Sequence, residues 1–149
     1  MARDDVVFHP AEPADIPRLK ALLASAGLPS EDVRHGEQDY LLAFRGGVLV
    51  GSVGLEKHGE VALLRSLAVV PELRRHGLGG QLYDRILGQA LASGAREAYV
   101  LTTTAERFCA ARGFARVERS SVPEAVRTTA EFRSLCPTSA VCMRRSLTG

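Results

Sequence analysis

Apolar positions along this chain switch repeatedly between an extended and a helical period. Val6 to His9 reads as a first strand, broken by Pro10 to Pro13. Ile16, Leu19, Leu22, Leu23 and Ala26 then recur at helical spacing, with Asp15 placed to cap the helix and Gly27 to stop it. Ser30 is placed to cap a short second helix through Val33. Tyr40 to Phe44 and Val48 to Glu56 read as strands joined by the hairpin turn Arg45-Gly46-Gly47. After a turn at His58-Gly59, Glu60 to Val70 is a nearly unbroken apolar strand, the pattern of a central strand covered on both faces.

Leu78 to Ser93 follows as a helix, with Leu82, Ile86, Ala90 and Leu91 on one face and Gly94 at its end. Ala98 to Leu101 is a short buried strand, and Glu106 to Arg112 a short helix closed by Gly113. Phe114 to Arg119 and Ala140 to Arg144 read as the last strands, separated by a loop and helix around Pro123 to Leu135. The whole predicts one α/β (α+β) domain over residues 1–149: a mixed sheet of about seven strands with helices on both faces.

Composition narrows the picture. Of 149 residues, 46% are apolar and 24% charged, ordinary for a globular protein with a sizeable core. A net charge of +2 argues against a general nucleic-acid or membrane surface. No apolar run is long enough to span a membrane, and Met1-Ala-Arg-Asp-Asp5 lacks a signal peptide's apolar core. Three cysteines, Cys109, Cys136 and Cys142, read as free thiols of a reducing cytoplasm, without metal-ligand spacing.

The chemistry concentrates at Leu67-Ala-Val-Val-Pro-Glu-Leu-Arg-Arg-His-Gly-Leu-Gly-Gly80. An apolar strand passes through a proline and a basic turn into glycines that open a helix. Glycine lets the backbone approach a ligand closely, and the N–H groups and dipole of a helix start favour an anion. Arg74, Arg75 and His76 add side-chain donors. This predicts a pyrophosphate cradle over Arg74 to Gly80.

The motif Arg74-Arg75-His76-Gly77-Leu78-Gly79 resembles the acetyl-CoA loop of the GNAT N-acetyltransferase superfamily, Arg/Gln-x-x-Gly-x-Gly/Ala. The predicted element order resembles that fold over nearly the whole chain. Phe108-Cys-Ala-Ala-Arg-Gly-Phe114 is similar to a second signature of the family, often Phe-Tyr-x-x-x-Gly-Phe. In many relatives that tyrosine protonates the departing CoA thiolate. Cys109 stands there instead, as a packing residue or a weak acid, with Tyr83 and Tyr99 as other donors. The resemblance implies acetyl-CoA as co-substrate, no metal, and a homodimer as an open option. It also implies that main-chain groups of Leu67, Ala68 and Val69 hold the pantetheine and that Leu67 N–H faces the developing oxyanion. Gly77, Leu78, Gly79, Gly80 and Phe108 complete the expected cofactor site.

For the acceptor, Glu56 is the expected base, directly or through water, the alternative being a solvated hairpin-end carboxylate, with His58 as a rival base. Arg65 and Ser66 interrupt the apolar strand. Arg65 either binds the carboxylate of an acidic substrate or pairs with an acidic neighbour. Thr102, Thr103 and Thr104 follow the short strand at the mouth of the expected cleft, placed to bind substrate or pantetheine. Leu64 to Pro71, Leu101 to Ala105 and Val122 to Met143 resemble an arsenic-resistance-associated, arsinothricin-type subgroup, and share a look with N-acetylglutamate synthase acetyltransferase domains. That likeness implies direct acetyl transfer to the amine of a small acidic, amino-acid-like molecule, with Cys136 and Cys142 as a remote option for a trivalent-arsenic thiol site. A peptide N-acetyltransferase and a catalytically silent acyl-CoA-binding module are the rival readings. A covalent route through Cys109 is disfavoured, because no His or Asp partner is in view.

Overall fold

The computed structural model describes residues 5–135 and 139–147. The elements are β1 (Val6–Pro10), α1 (Ile16–Ser25), β2 (Asp39–Arg45), β3 (Val48–His58), β4 (Val61–Val69), α2 (Leu78–Ala92), β5 (Glu97–Thr102), α3 (Glu106–Ala111), β6 (Ala115–Arg116), α4 (Glu124–Arg127) and β7 (Val141–Ser146). Seven strands form one sheet in the order β1-β2-β3-β4-β5-β7-β6. Every pairing is antiparallel except that of β4 with β5. The mixed sheet expected from the sequence is therefore present.

Helices cover both faces, as the strand patterns require. On one face, Leu78, Leu82, Ile86 and Ala90 of α2 pack on Val53, Leu55, Leu64 and Val100 of the central strands. The opposite face carries α1, whose Leu19 and Leu23 meet Leu42, Phe44 and Ala68. Val126 of α4 packs there too, with Leu63, Tyr99 and Cys142. These side chains are almost wholly excluded from water, and each such burial stabilises by roughly 1.5–3 kcal/mol before the entropy of ordering is counted.

The local departures from the sequence reading have physical causes. Pro10 ends β1 instead of breaking it, because an edge strand tolerates a residue without N–H. Asp15 does not cap α1 with its side chain; its carboxylate accepts the Glu12 N–H at 2.9 Å and pairs with Arg18 at 2.7 Å. Ser30 to Val33 is a turn, not a helix, closed by Val33 N–H on the Ser30 carbonyl. The Gln38 amide accepts from Arg34 N–H and donates to the Asp32 carbonyl, holding this loop outside helical geometry. Glu60 lies in the turn before β4. Phe114 to Arg119 yields only the two residues of β6, since Phe114 turns into the core and Arg119–Ser121 winds into a 3-10 turn.

Two irregularities shape the centre of the sheet. The parallel pairing of β4 with β5 covers only Val61, Ala62 and Leu63 against Glu97, Ala98 and Tyr99. Both strands then run on without pairing to each other, and a gap opens between them. On the other edge of β4, Gly54 pairs with Arg65 and Ser52 with Ala68. Ser66 and Leu67 thus oppose Val53 alone, in a β-bulge with Ser66 at φ 60°. A bulge bends the strand and locally disrupts its ladder.

Candidate active site

The gap between β4 and β5 becomes a cavity lined by Leu67, Val100, Tyr83, Phe108 and Cys109, and on its far side by Arg65 and Ser66. It continues into a wider hollow of about 480 Å³ bounded by Leu67, Val69, Arg74, Arg75 and the Gly77, Gly79 and Gly80 backbone. Gly77 holds φ 83° and serves as N-cap of α2 with no side-chain cap. The first N–H groups of a helix have no intrahelical partner, so those of this 15-residue helix are available to an anion. A Cβ placed on Gly79 would lie 3.7 Å from Phe108 and 3.9 Å from Val69, so any larger side chain would project into the hollow. Arg74, Arg75, Gly77, Gly79 and Gly80 therefore border an open hollow.

Not every expected residue lies where the motif placed it. Arg75 reaches the hollow from a left-handed backbone, φ 69°. Arg74 also borders it, with Nε donating to the Val69 carbonyl at 3.0 Å. His76 is exposed and lines neither cavity. The side chains of Leu78 and Ala68 belong to the two cores, which leaves only their main chains for a ligand. Phe108 borders both cavities. The sequence reading missed Arg112. Its guanidinium stacks 3.8 Å from the Phe108 ring centroid and would sit 2.6 Å from a Cβ on Gly80. A cation at helical distance after an aromatic, facing a glycine, was the available signal.

Among thiolate-protonating candidates, Tyr99 drops out of the cavity: its hydroxyl donates to Glu97 at 3.1 Å and its ring packs in the α4-side core. Tyr83 and Cys109 both line it. Burial pushes the Cys109 thiol up, against a smaller opposing pull from Arg112. Burial also raises Tyr83, whose oxygen accepts from Arg145 Nη1 at 2.7 Å. Arg145 is only a donor, so the tyrosine's own proton remains to donate elsewhere.

The residues expected on the acceptor side, Arg65, Ser66, Thr102 and Thr103, line a second cavity together with Pro29 and Glu131. The Thr102 hydroxyl accepts from Ala105 N–H at 2.8 Å, forming the turn into α3. Arg65 is wholly buried and resolves to the salt-bridged alternative: Nη1 and Nη2 donate to Asp32 at 2.6 and 2.7 Å, and Nη1 donates to Glu56 Oε2 at 2.6 Å. Its Nε donates to Ser66 Oγ at 3.1 Å and lies 3.4 Å from Glu131. Glu56, the expected base, is thus not a solvated hairpin-end carboxylate. It is clamped by Arg65, with His58 Nε2 at 3.5 Å from its other oxygen. Glu56 and His58 line neither acceptor-side nor cofactor-side cavity. Cys142 is buried in the α4-side core, and Cys136 lies outside the described residues. Among the described residues no helix is long and apolar enough to cross a membrane.

Comparison with known proteins agrees with this geometry. The model of the Acetyltransferase (GNAT) family matches residues 8–117. N-acetylglutamate synthase from Neisseria gonorrhoeae, solved with coenzyme A and N-acetyl-glutamate, superposes with a TM-score of 0.81 at 22% identity, over 97% of this chain and 36% of that one. This chain therefore spans about a third of the synthase. Rv2747 from Mycobacterium tuberculosis, solved with CoA and NLQ, superposes with a TM-score of 0.78 at 24% identity, over 95% and 99% of the two chains. PaiA N-acetyltransferase from Thermoplasma acidophilum, solved with coenzyme A, gives 0.71 at 16% identity, over 95% and 99%. No curated protein matches in sequence. With a splayed sheet, an open anion cradle at the start of α2 and a family match over most of its length, the chain belongs to the GNAT acetyltransferase family, whose co-substrate is acetyl-CoA.

Proposed function

We propose that this protein transfers acetyl from acetyl-CoA to the amine of a small, amino-acid-like acceptor by direct attack. The observation that carries the reading is the junction of the two cavities. The cofactor-side cavity and the acceptor-side cavity share Arg65, Ser66, Leu101 and Thr102, so two substrates meet at the bulge of β4. Holding both there supplies much of the rate, because reaction becomes effectively unimolecular. Arg75 and the α2 N-terminus hold the diphosphate, Leu67 and Val69 flank the pantetheine, and Leu67 N–H is the donor nearest the reacting carbonyl. Acetyl-CoA itself supplies the activated acyl group. Tyr83 is the proton donor for the departing thiolate, with Cys109 as a buried neighbour.

The small acceptor-side cavity, about 100 Å³, favours a free metabolite over a polypeptide. The neighbour solved with N-acetyl-glutamate supports an amino-acid acceptor. An acidic acceptor binds Arg65 only by taking the place of Asp32 on the guanidinium, which sets glutamate against glutamine as the informative pair. CoA release measured with glutamate, glutamine, phosphinothricin, arsinothricin and a short peptide tests the reading. Turnover with one or more of the small amines is the expected result. Tight acetyl-CoA binding without CoA release from any amine would instead make the protein a silent acyl-CoA-binding module.

A further inference from the structure

We propose that Glu131, and not Glu56, takes the proton from the acceptor amine. The inference rests on the acetyl-transfer reading above and adds to it the identity of the base. Glu131 begins the single π-helical turn Glu131–Leu135 and is 3% exposed. It borders the acceptor-side cavity beside Arg65, Ser66 and Thr102, the residues through which that cavity meets the cofactor side. Glu56 and Asp32 border neither cavity.

The three carboxylates around Arg65 differ in what their lone pairs already hold. Asp32 accepts two hydrogen bonds from the guanidinium and Glu56 accepts one at 2.6 Å. Among the described residues Glu131 has only the longer approach of Arg65 Nε at 3.4 Å, and that N–H is donated to Ser66 Oγ. Its oxygens are the least committed of the three. The groups that face it are Arg65 from β4, Asp32 from the α1–β2 loop, Glu56 from β3 and Tyr40 from β2. The Tyr40 hydroxyl is buried and has no hydrogen-bond partner among the described residues. Burial pushes the Glu131 carboxyl up to about 7; Arg65 pulls it down, and Asp32 and Glu56 add to the rise. A carboxylate tuned that close to neutrality is a better match to an ammonium group than an ordinary one, while remaining more than half ionised just above pH 7.

The proton balance is simple. The acceptor ammonium loses one proton to Glu131, and the freed nitrogen lone pair forms the C–N bond as the thioester C–S bond breaks. The nitrogen sheds its second proton, the thiolate takes up one, and Glu131 later releases the other to solvent.

The test is the pH dependence of kcat/KM for wild type, Glu131→Gln, Glu131→Asp and Glu56→Gln. Thermal unfolding and acetyl-CoA calorimetry on each protein separate catalysis from folding and cofactor binding. Wild type is expected to rise with pH through a limb near 7 and then level off until the acceptor amine itself loses its proton. Glu131→Gln is expected to lose about 10²-fold at pH 7 and to follow the amine's own titration, recovering toward wild type at high pH. Glu131→Asp should retain the lower limb. A Glu131→Gln variant that keeps the wild-type profile, or a Glu56→Gln variant that alone abolishes the lower limb, overturns the assignment while leaving acetyl transfer intact. Absence of CoA release from wild type with every amine overturns both.

Discussion

Arg65 on β4 grips Asp32, 33 residues earlier in the loop after α1, through two hydrogen bonds of 2.6 and 2.7 Å. The same guanidinium holds Glu56 on β3 and approaches Glu131 near the end of the chain. One cation thereby fastens a loop, two neighbouring strands and the segment before β7. Truncating a partner in a buried charge cluster leaves the others uncompensated, which costs about 3–5 kcal/mol. Arg65→Met should lose stability of that order at pH 8, and less at pH 5, where the orphaned carboxylates can take up protons. Urea unfolding at both pH values measures this, and an equal loss at both would contradict it.

The cofactor cradle separates folding from binding at two glycines. Gly77 has φ 83°, a conformation that costs a residue with Cβ about 1–2 kcal/mol. Gly79 has an ordinary helical backbone, and its missing Cβ would meet Phe108 and Val69 only at normal contact distance. Gly79→Leu should therefore fold nearly as well as wild type and lose acetyl-CoA affinity by an order of magnitude or more, because a leucine side chain projecting into the hollow removes phosphate contacts. Gly77→Ala should lose mainly stability. Calorimetry and thermal unfolding on the pair resolve the two effects, and unchanged affinity in Gly79→Leu would mean that the pyrophosphate sits elsewhere.

Much of this architecture was legible in the chain because periodicity reports one-sided burial. The apolar runs Tyr40 to Phe44 and Val48 to Glu56 and the helical spacing of Leu82, Ile86 and Ala90 specify the sheet and the α2 face that covers it. The Arg74–Gly80 loop was legible because its chemistry is local: turn, glycine and helix start lie within seven residues. The acceptor side was not. A charged residue in mid-strand announced that Arg65 needed partners, but Asp32 and Glu131 are brought to it from loops distant in sequence. No local pattern marks such residues, and Glu56 looked exposed because only the fold shows β3 running on to His58. Ser30 to Val33 failed as a helix for the same reason, since Asp32 is bound tertiarily and its carbonyl accepts from Gln38.

The two candidates for protonating the CoA thiolate are distinguishable. Tyr83 accepts from Arg145 and keeps its own hydroxyl proton free for the cavity. Cys109 is 7% exposed and its thiol is held in the protonated form by burial. Tyr83→Phe should lower kcat about 10-fold or more with little change in acetyl-CoA affinity, whereas Cys109→Ala should stay within about 2-fold. Steady-state kinetics at saturating acetyl-CoA provide the comparison. The reverse ranking would return the role to Cys109.

Glu131 also leaves a thermodynamic signature that needs no substrate. Its carboxyl lies at about 7 in the fold against an ordinary 4.5, so between those values the native state holds a proton that the unfolded chain has released. Stability from this group is therefore greatest at low pH and declines as pH rises through the interval, since unfolding there is favoured by proton loss. Asp32 acts in the opposite sense: burial raises it, but the hydrogen bonds and charge of Arg65, with its own backbone, together outweigh that cost and hold it below the ordinary carboxylate range, so its contribution is lost only on strong acidification. Glu131→Gln removes the first dependence and retains the second. The variant should match wild type near pH 5 and exceed it at pH 8, by an amount on the order of a few kcal/mol. Denaturant midpoints across this range would show the two curves diverging as pH rises; parallel curves would mean that Glu131 is ionised throughout, and the environment assigned to it around Arg65 would have to be redrawn.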